Sequence, residues 1–316
     1  MEHLQGKRAR RNDLHLFIPW RERQHPLNWQ QEFKRDGELK LEIGFGNGEY
    51  LVSSAAQDPE SNYLGIEMTW GSIKRASGFC RRQDVDNVRL IWEDARAALA
   101  WCFEDKSLSS ITALYPCPWP KKRHAKFRLF QPSFVSLCNS KLSDGGSLVV
   151  VTDSAVYRDE ILEQNTLENT GMCSHLEIIP ASFSTKYEKK WQGEGQSEFF
   201  RLTFTKQTHK ESKRPETITV KHHVVPNLDP KTFLPKDEKE HFSVQFKQFI
   251  FDQVQNIGLL EVYTHEDTIE QHFYIRIKKQ ENGWKIHSAG GPPLLPVKSV
   301  QRALDIVKET AEALFS

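Results

Sequence analysis

From Lys40 onward, short apolar runs alternate with amphipathic stretches, and this alternation restricts the fold more than any other feature of the chain. KLEIGF (40–45), NYLGIEM (62–68), NVRLIWED (87–94), ITALYP (111–116) and SLVVVTD (147–153) have the length and β-branched content of buried strands. Between them, 48–57, 70–83, 95–103 and most of FRLFQPSFVSLCNSKL (127–142) carry helical spacing, and a further helix runs to about Asn169. Strands that alternate with helices build βαβ units and a parallel sheet, which gathers ligands at the carboxyl ends of its strands. The expected class is therefore α/β, doubly wound. HLEII (175–179) and EFFRLTFTK (198–206), joined by the polar segment 184–197, read as an antiparallel pair closing the sheet.

Past the polar run QTHKESKRPET (207–217) the pattern turns strand-rich, with ITVKHHVV, LLEVYTH, HFYIRIKK and GWKIHSA, before a last amphipathic helix, SVQRALDIVKETAEAL. Four segments follow: a basic N-terminal arm over 1–36, an α/β domain over 37–206, a linker over 207–217 and a small α+β appendage over 218–316. The 38% hydrophobic and 27% charged residues suit a chain with a buried core. A net charge of +1 means that any grip on a polyanion must come from local clusters. No run approaches the ~20 apolar residues of a membrane span and no signal peptide is evident, so a cytoplasmic protein is expected. Five cysteines without a CxxC pair argue against a disulfide framework or zinc, and His222, His223 and His265 lack metal-ligand spacing.

Acidic side chains recur at the strand ends. Glu42 precedes the glycine run Gly44, Gly46, Gly48; Glu67 ends the second strand and Asp94 the third. Carboxylates in that position repel a pyrophosphate but suit an ammonium group, ribose hydroxyls and an adenine amino group. S-adenosylmethionine carries all three. Glu42 is assigned to its methionine end, Glu67 to the ribose and Asp94 to the adenine.

The fourth strand runs into YPCPWPKKRHAKFR (115–128), where three alternating prolines fix φ and remove amide donors. A stiff loop at a strand end, carrying Trp119, Lys121, Lys122, Arg123, His124, Lys126 and Arg128, is suited to holding phosphates beside a pocket. Trp119 and Trp191 are either core aromatics or stacking platforms. The cluster Lys7, Arg8, Arg10, Arg11 is either a solubilising tail or an RNA contact.

LEIGFGNGEYL, GIE, PCPWPKKRHAKFR, the Thr152–Asp153 pair and STKYE (184–188) occur in the order found in bacterial tRNA (guanine-N7)-methyltransferases, which the chain resembles over about 35–206. The resemblance implies a seven-stranded methyltransferase sheet with an antiparallel last strand. It implies transfer of a methyl group from S-adenosylmethionine to a variable-loop guanosine of tRNA, position 46 in tRNA numbering. Cofactor positions fall on Glu42, Gly44, Gly46, Gly48, Glu67, Asp94 and Cys117. RNA and substrate positions fall on Lys121, Arg123, His124, Lys126, Arg128, Asp153, Thr185, Lys186, Tyr187 and Glu188. Asp153 and Glu188 are the carboxylates expected beside the guanine; Cys117 stands where the family has an aspartate treated as catalytic. As a side chain, Cys117 reads as a small residue packed at the strand end. That departure keeps two alternatives open: a tRNA-binding relative without turnover, and a same-fold methyltransferase for another substrate.

Overall fold

The structure, a computed structural model, describes residues 13–183, 188, 193, 197–213, 215–289, 293–313 and 315. The chain divides into two compact units, Met1–Arg214 and Pro215–Ser316.

In the first unit the expected alternation is present. Strands β1 (Leu39–Ile43), β2 (Asn62–Glu67), β3 (Val88–Trp92), β4 (Leu108–Leu114) and β5 (Leu142–Thr152) are parallel. β6 (Met172–Pro180) and β7 (Glu198–Lys206) complete a seven-stranded sheet in the order β3-β2-β1-β4-β5-β7-β6, with β7 antiparallel to both neighbours. Helices α1 (Trp29–Phe33), α2 (Glu49–Gln57), α3 (Trp70–Gln83), α4 (Ala95–Cys102), α5 (Pro132–Lys141), α6 (Ala155–Gln164) and α7 (Leu167–Thr170) connect and flank the strands. In α3 the buried positions Ile73, Ala76 and Cys80 recur at helical spacing and pack with Leu51, Val52, Val88 and Leu90. Between β1 and β4 the winding reverses. β1 leads toward β2 and β3, β4 toward β5, so a crevice opens at their carboxyl ends.

Two expectations change. Within the arm, the described residues Leu16, Ile18, Trp20, Leu27, Trp29 and Phe33 are buried, and Phe17 bridges Leu90 on the outer strand. Each large apolar side chain buried in this way contributes about 1.5–3 kcal/mol, enough to dock this polar, proline-interrupted segment. Lys7, Arg8, Arg10 and Arg11 lie outside the described residues. The helix expected from Phe127 starts at Pro132, the residue at its first turn, and Lys122–Phe127 forms a 3-10 turn instead.

The second unit is a six-stranded antiparallel sheet, β8 (His223–Val225), β9 (Glu238–Lys239), β10 (Ser243–Asp252), β11 (Ile257–Glu266), β12 (Ile269–Gln280) and β13 (Gly283–Ala289), ordered β8-β13-β12-β11-β10-β9. Helix α8 (Lys298–Ala313) buries Val300, Ala303, Leu304 and Val307. The strand expected over 218–225 shrinks to three residues. β10 is illegible in sequence because a register shift between Phe246 and Phe249 breaks the two-residue period.

Candidate active site

The crevice at the reversal holds a cavity of about 260 Å³, to which β1, β2, β4 and α3 all contribute. Glu42, Gly44, Gly46 and Glu67 line it, as the strand-end pattern predicts. Gly44 and Gly46 adopt φ +70° and +57°, which a side chain resists, and a Cβ on either would project into open space. Gly48 has another role. It caps α2 at φ +84°, and a Cβ there would lie 2.8 Å from the Ala76 Cβ, so it permits α2 and α3 to approach.

The Glu67 carboxylate accepts from the Gly46 amide at 3.1 Å and from the Thr69 amide at 3.1 Å. Backbone thus fixes both its oxygens while leaving lone pairs over. Glu42 is buried, and its Oε2 has no hydrogen-bond partner. Burial, followed by the charges of Glu49 and Glu67, pushes its carboxyl up to about 8. A buried carboxyl with an orphaned oxygen, flanked by two acids, is a receptor for a cation. Glu42 and Tyr50 also border a second cavity of about 220 Å³, shared with Lys40, Tyr63 and Thr112.

Asp94 caps α4, accepting from the Arg96 amide at 2.7 Å and pairing with the Arg96 guanidinium at 3.2 Å; it is not among the residues lining the cavity. Exposed Met68 and Trp92 lie nearby at the ends of β2 and β3, the Trp92 indole donating to the Met68 carbonyl at 2.8 Å. Sequence reasoning passed over Tyr115, Tyr50, Thr69 and Arg75, which also line the cavity. Arg75 holds Asn47 of the glycine run at 2.7 Å, a contact 28 residues apart that no local pattern signals.

On the other side of the crevice, β4 hands over to the proline loop. Tyr115 and Trp119 take φ of +53° and +43°, costly for residues with side chains. Neighbours hold them there. The Tyr115 amide donates to the Val151 carbonyl at 2.7 Å, and the Arg128 guanidinium donates to the Pro118 and Trp119 carbonyls at 2.7 and 3.2 Å while pairing with Glu160. Arg128 is buried, so the expectation that it faces RNA gives way to a structural role inside the loop. Lys121, Arg123 and Lys126 are exposed and His124 half-buried; Trp119, His124 and Phe127 form an aromatic cluster with Phe127 50% exposed. Cys117 is exposed, not packed at the strand end as its size suggests, and it is not among the residues lining the cavity.

Glu188 is buried, and it accepts from the Tyr115 hydroxyl at 3.0 Å, the Ser182 amide at 2.6 Å and the Phe183 amide at 2.9 Å. These bonds occupy the carboxylate that the sequence assigns to guanine. Burial, then Glu188 and in smaller part the charge of Asp153, raise the Tyr115 hydroxyl above its ordinary value. Thr185, Lys186, Tyr187 and Trp191 lie outside the described residues. Among the described residues, no group of three or more His, Cys, Asp or Glu could hold a metal ion.

With this geometry in view, comparison with known proteins is decisive. A family model described as "Putative methyltransferase" matches residues 36–201. The tRNA (guanine-N(7)-)-methyltransferase of Thermotoga maritima is 31% identical over 268 residues, 82% of this chain and 84% of the relative. The chain belongs to the tRNA (guanine-N(7)-)-methyltransferase family. The family member from Aquifex aeolicus is 30% identical over 281 residues, covering 86% of this chain and 93% of its own. The one from Chlorobium phaeobacteroides is 37% identical over 185 residues, 58% of this chain and 90% of the relative. The first two matches exceed what Met1–Arg214 can supply, so they continue into the second unit.

Proposed function

We propose that the chain transfers the methyl group of S-adenosylmethionine to N7 of a guanosine in tRNA, with the variable-loop guanosine at position 46 as the target and the cytoplasm as the site of action. The observation that carries this reading is the pairing, at one crevice, of a cation-receptive acid (Glu42) and an amide-fixed acid (Glu67) with an exposed basic loop. The relatives' names supply the substrate class. The residues fit the cofactor. The unpartnered Glu42 oxygen would hold the ammonium of the methionine end, the spare lone pairs of Glu67 would accept from ribose hydroxyls, and the open face of Gly44 and Gly46 admits a close approach. Asp94, engaged with α4, would meet the adenine only with the outer edge of its carboxylate. When bound, the cofactor supplies an electrophilic methyl group on a sulfonium.

Guanine N7 has a lone pair in the ring plane and no proton, so no general base is required. The chain must position the base in line with the methyl, which is worth about 7–11 kcal/mol when the geometry is held. Tyr115, left-handed and tied to Glu188 and Val151, is rigid enough to form one wall. Glu188 acts as a positioning residue that fastens Ser182 and Phe183 against β4. Asp153 is assigned the ring-facing role, offsetting the positive charge that builds on the purine and accepting from its N1–H and N2–H₂ donors. Lys121, Arg123 and Lys126 grip the RNA backbone.

The test incubates purified protein with unmodified tRNA transcripts and methyl-labelled S-adenosylmethionine, then maps N7-methylguanosine. Product at position 46, lost when that guanosine is changed to adenosine, supports the assignment. No product while both ligands still bind would remove the activity and leave an RNA-binding relative.

A further inference from the structure

In the second unit α8 covers one face of the sheet, burying Val262, Phe273, Ile275 and Ile277. Strand register assigns the opposite face. Ile250, Leu259, Arg276 and His287 form one cross-strand row; Asp252, Ile257, Lys278 and Lys285 form the next. Glu261 and Tyr274 lie on the other side of the arginine row, followed by Tyr263 and His272. Leu259, Tyr263, His272 and Lys278 on this face are exposed, and a cavity of about 410 Å³ lies over Ile250, Leu259, Tyr274 and Arg276.

The charges on this face are unequal in their commitments. Asp252, which also lines the cavity, accepts through one oxygen from the Val254 and Gln255 amides, and one oxygen of Glu261 accepts from the Tyr263 hydroxyl and the His272 ring. By contrast no ion pair engages Arg276, Lys278 or Lys285 among the described residues, and the Arg276 Nε is out of solvent without a hydrogen-bond partner. A guanidinium with a buried unpaired donor at a cavity is suited to an oxyanion, because only an anion repays its desolvation. Burial, then His287 and Lys285, lower the proton affinity of neighbouring His222, consistent with a positive local field. Beside these cations, Tyr263 and His272 stack with ring centroids 4.3 Å apart and planes 8° apart, and Tyr274 adjoins them. Unpaired cations flanking flat aromatic surfaces complement a strand of phosphates carrying unstacked bases.

We propose that this open face is a second RNA-contact surface, with Arg276, Lys278 and Lys285 on backbone phosphates and Tyr274 with the Tyr263–His272 stack receiving unpaired bases. It extends the tRNA reading but is read out by binding alone, so the two fail separately.

The experiment uses the full chain and an unmodified tRNA transcript, with anisotropy measured across a salt series. The triple variant Arg276→Gln, Lys278→Gln, Lys285→Gln should bind at least tenfold more weakly near physiological salt. Its slope of log affinity against log salt should be shallower by about two to three, the release expected for three phosphate contacts. Tyr274→Ala should weaken binding roughly tenfold at an unchanged slope. The charge-keeping triple Arg276→Lys, Lys278→Arg, Lys285→Arg should retain the slope, which separates lost charge from lost folding. Wild-type affinity and slope in the glutamine triple would overturn the proposal and leave the face to a protein partner. Equal losses in both triples would overturn it too, by making the residues structural.

Discussion

The two rims of the crevice are built on opposite principles. On the β1 and β2 side, backbone does the fixing: Gly44 and Gly46 turn freely into positive φ, and two main-chain amides hold Glu67. On the β4 side, Tyr115 and Trp119 occupy similar φ values at a cost, and side chains from elsewhere hold them, Arg128 and Glu160 beneath the loop and Glu188 against Tyr115. A rim made of backbone keeps its shape with few outside contacts. A rim made of strained residues keeps its shape only while its supports last, and two of those supports, Glu160 on α6 and Glu188, lie far along the chain from the loop. The cofactor side should therefore fail by losing its ligand, whereas the RNA side should fail by losing its shape.

The largest effect expected is at Glu67. Glu67→Ala removes the acceptor for two amides together with the proposed ribose contact, so cofactor affinity by calorimetry should fall at least about a hundredfold, or about 2.8 kcal/mol. Melting should move little. Unchanged affinity would break the distinction between the two rims at once.

Glu42 comes next and sharpens the electrostatic side. Its carboxyl, raised to about 8 against an ordinary 4.5, keeps its proton in the folded chain and loses it on unfolding between those values. The native state then binds more protons than the unfolded one, so stability falls as pH rises from about 4.5 to about 8 and levels off above. Glu42→Gln should remove that slope and raise stability at pH 8 relative to the wild type. Because an ammonium favours the ionised carboxylate, cofactor binding at pH 7 should expel close to one proton. Calorimetry in buffers of different ionisation enthalpy reads that proton, and Glu42→Gln should abolish it while weakening binding less than Glu67→Ala does. Proton-neutral binding by the wild type would sink the assignment of Glu42 to the ammonium.

Arg128 and Lys126, two residues apart, test the other rim. Arg128→Ala breaks a largely buried pair and two carbonyl contacts, so it should cost about 2 kcal/mol and lower melting by about 4–8 °C. Methyl transfer should drop with it, and added salt should not explain the loss. Lys126→Ala touches only an exposed side chain resting over Phe127, so melting should hold while the salt slope of tRNA binding eases by about one. If the two variants behaved alike, the buried and exposed halves of the basic run would not differ in role.

Most of this frame is legible in the chain because its cues are local. The periodicity of 40–153 predicts the strands, and the glycine run with acids at successive strand ends predicts the cavity that Glu42 and Glu67 share. Contacts between distant segments are not legible. Nothing near Arg128 distinguishes it from Arg123, yet one is buried against Glu160 and the other exposed. Nothing near Glu188 announces that Tyr115, 73 residues earlier, and the Ser182 and Phe183 amides will take its lone pairs. The charges before Asp13 hide that the apolar residues after them pack on β3. In β10 a single register shift erases the period that would have revealed the strand.

The smallest effect is expected at Cys117, where the family resemblance implies an aspartate. Cys117 sits between two prolines, exposed, on the rim held by side chains, and is not among the residues that line the cavity. A side chain exposed and outside the cavity lining does not hold either rim, so Cys117→Ala should leave kcat and KM for both substrates within about twofold. N7 needs no base, so placing an acid there should bring little as well. Cys117→Asp should alter kcat by less than about threefold, and the carboxylate's main effect should be a small rise in the KM for tRNA from its charge beside Lys121 and Arg123. A gain of tenfold or more in kcat would overturn this. It would mean that the loop moves inward when both ligands are bound, bringing position 117 against the reacting base, and that the held rim is the mobile one.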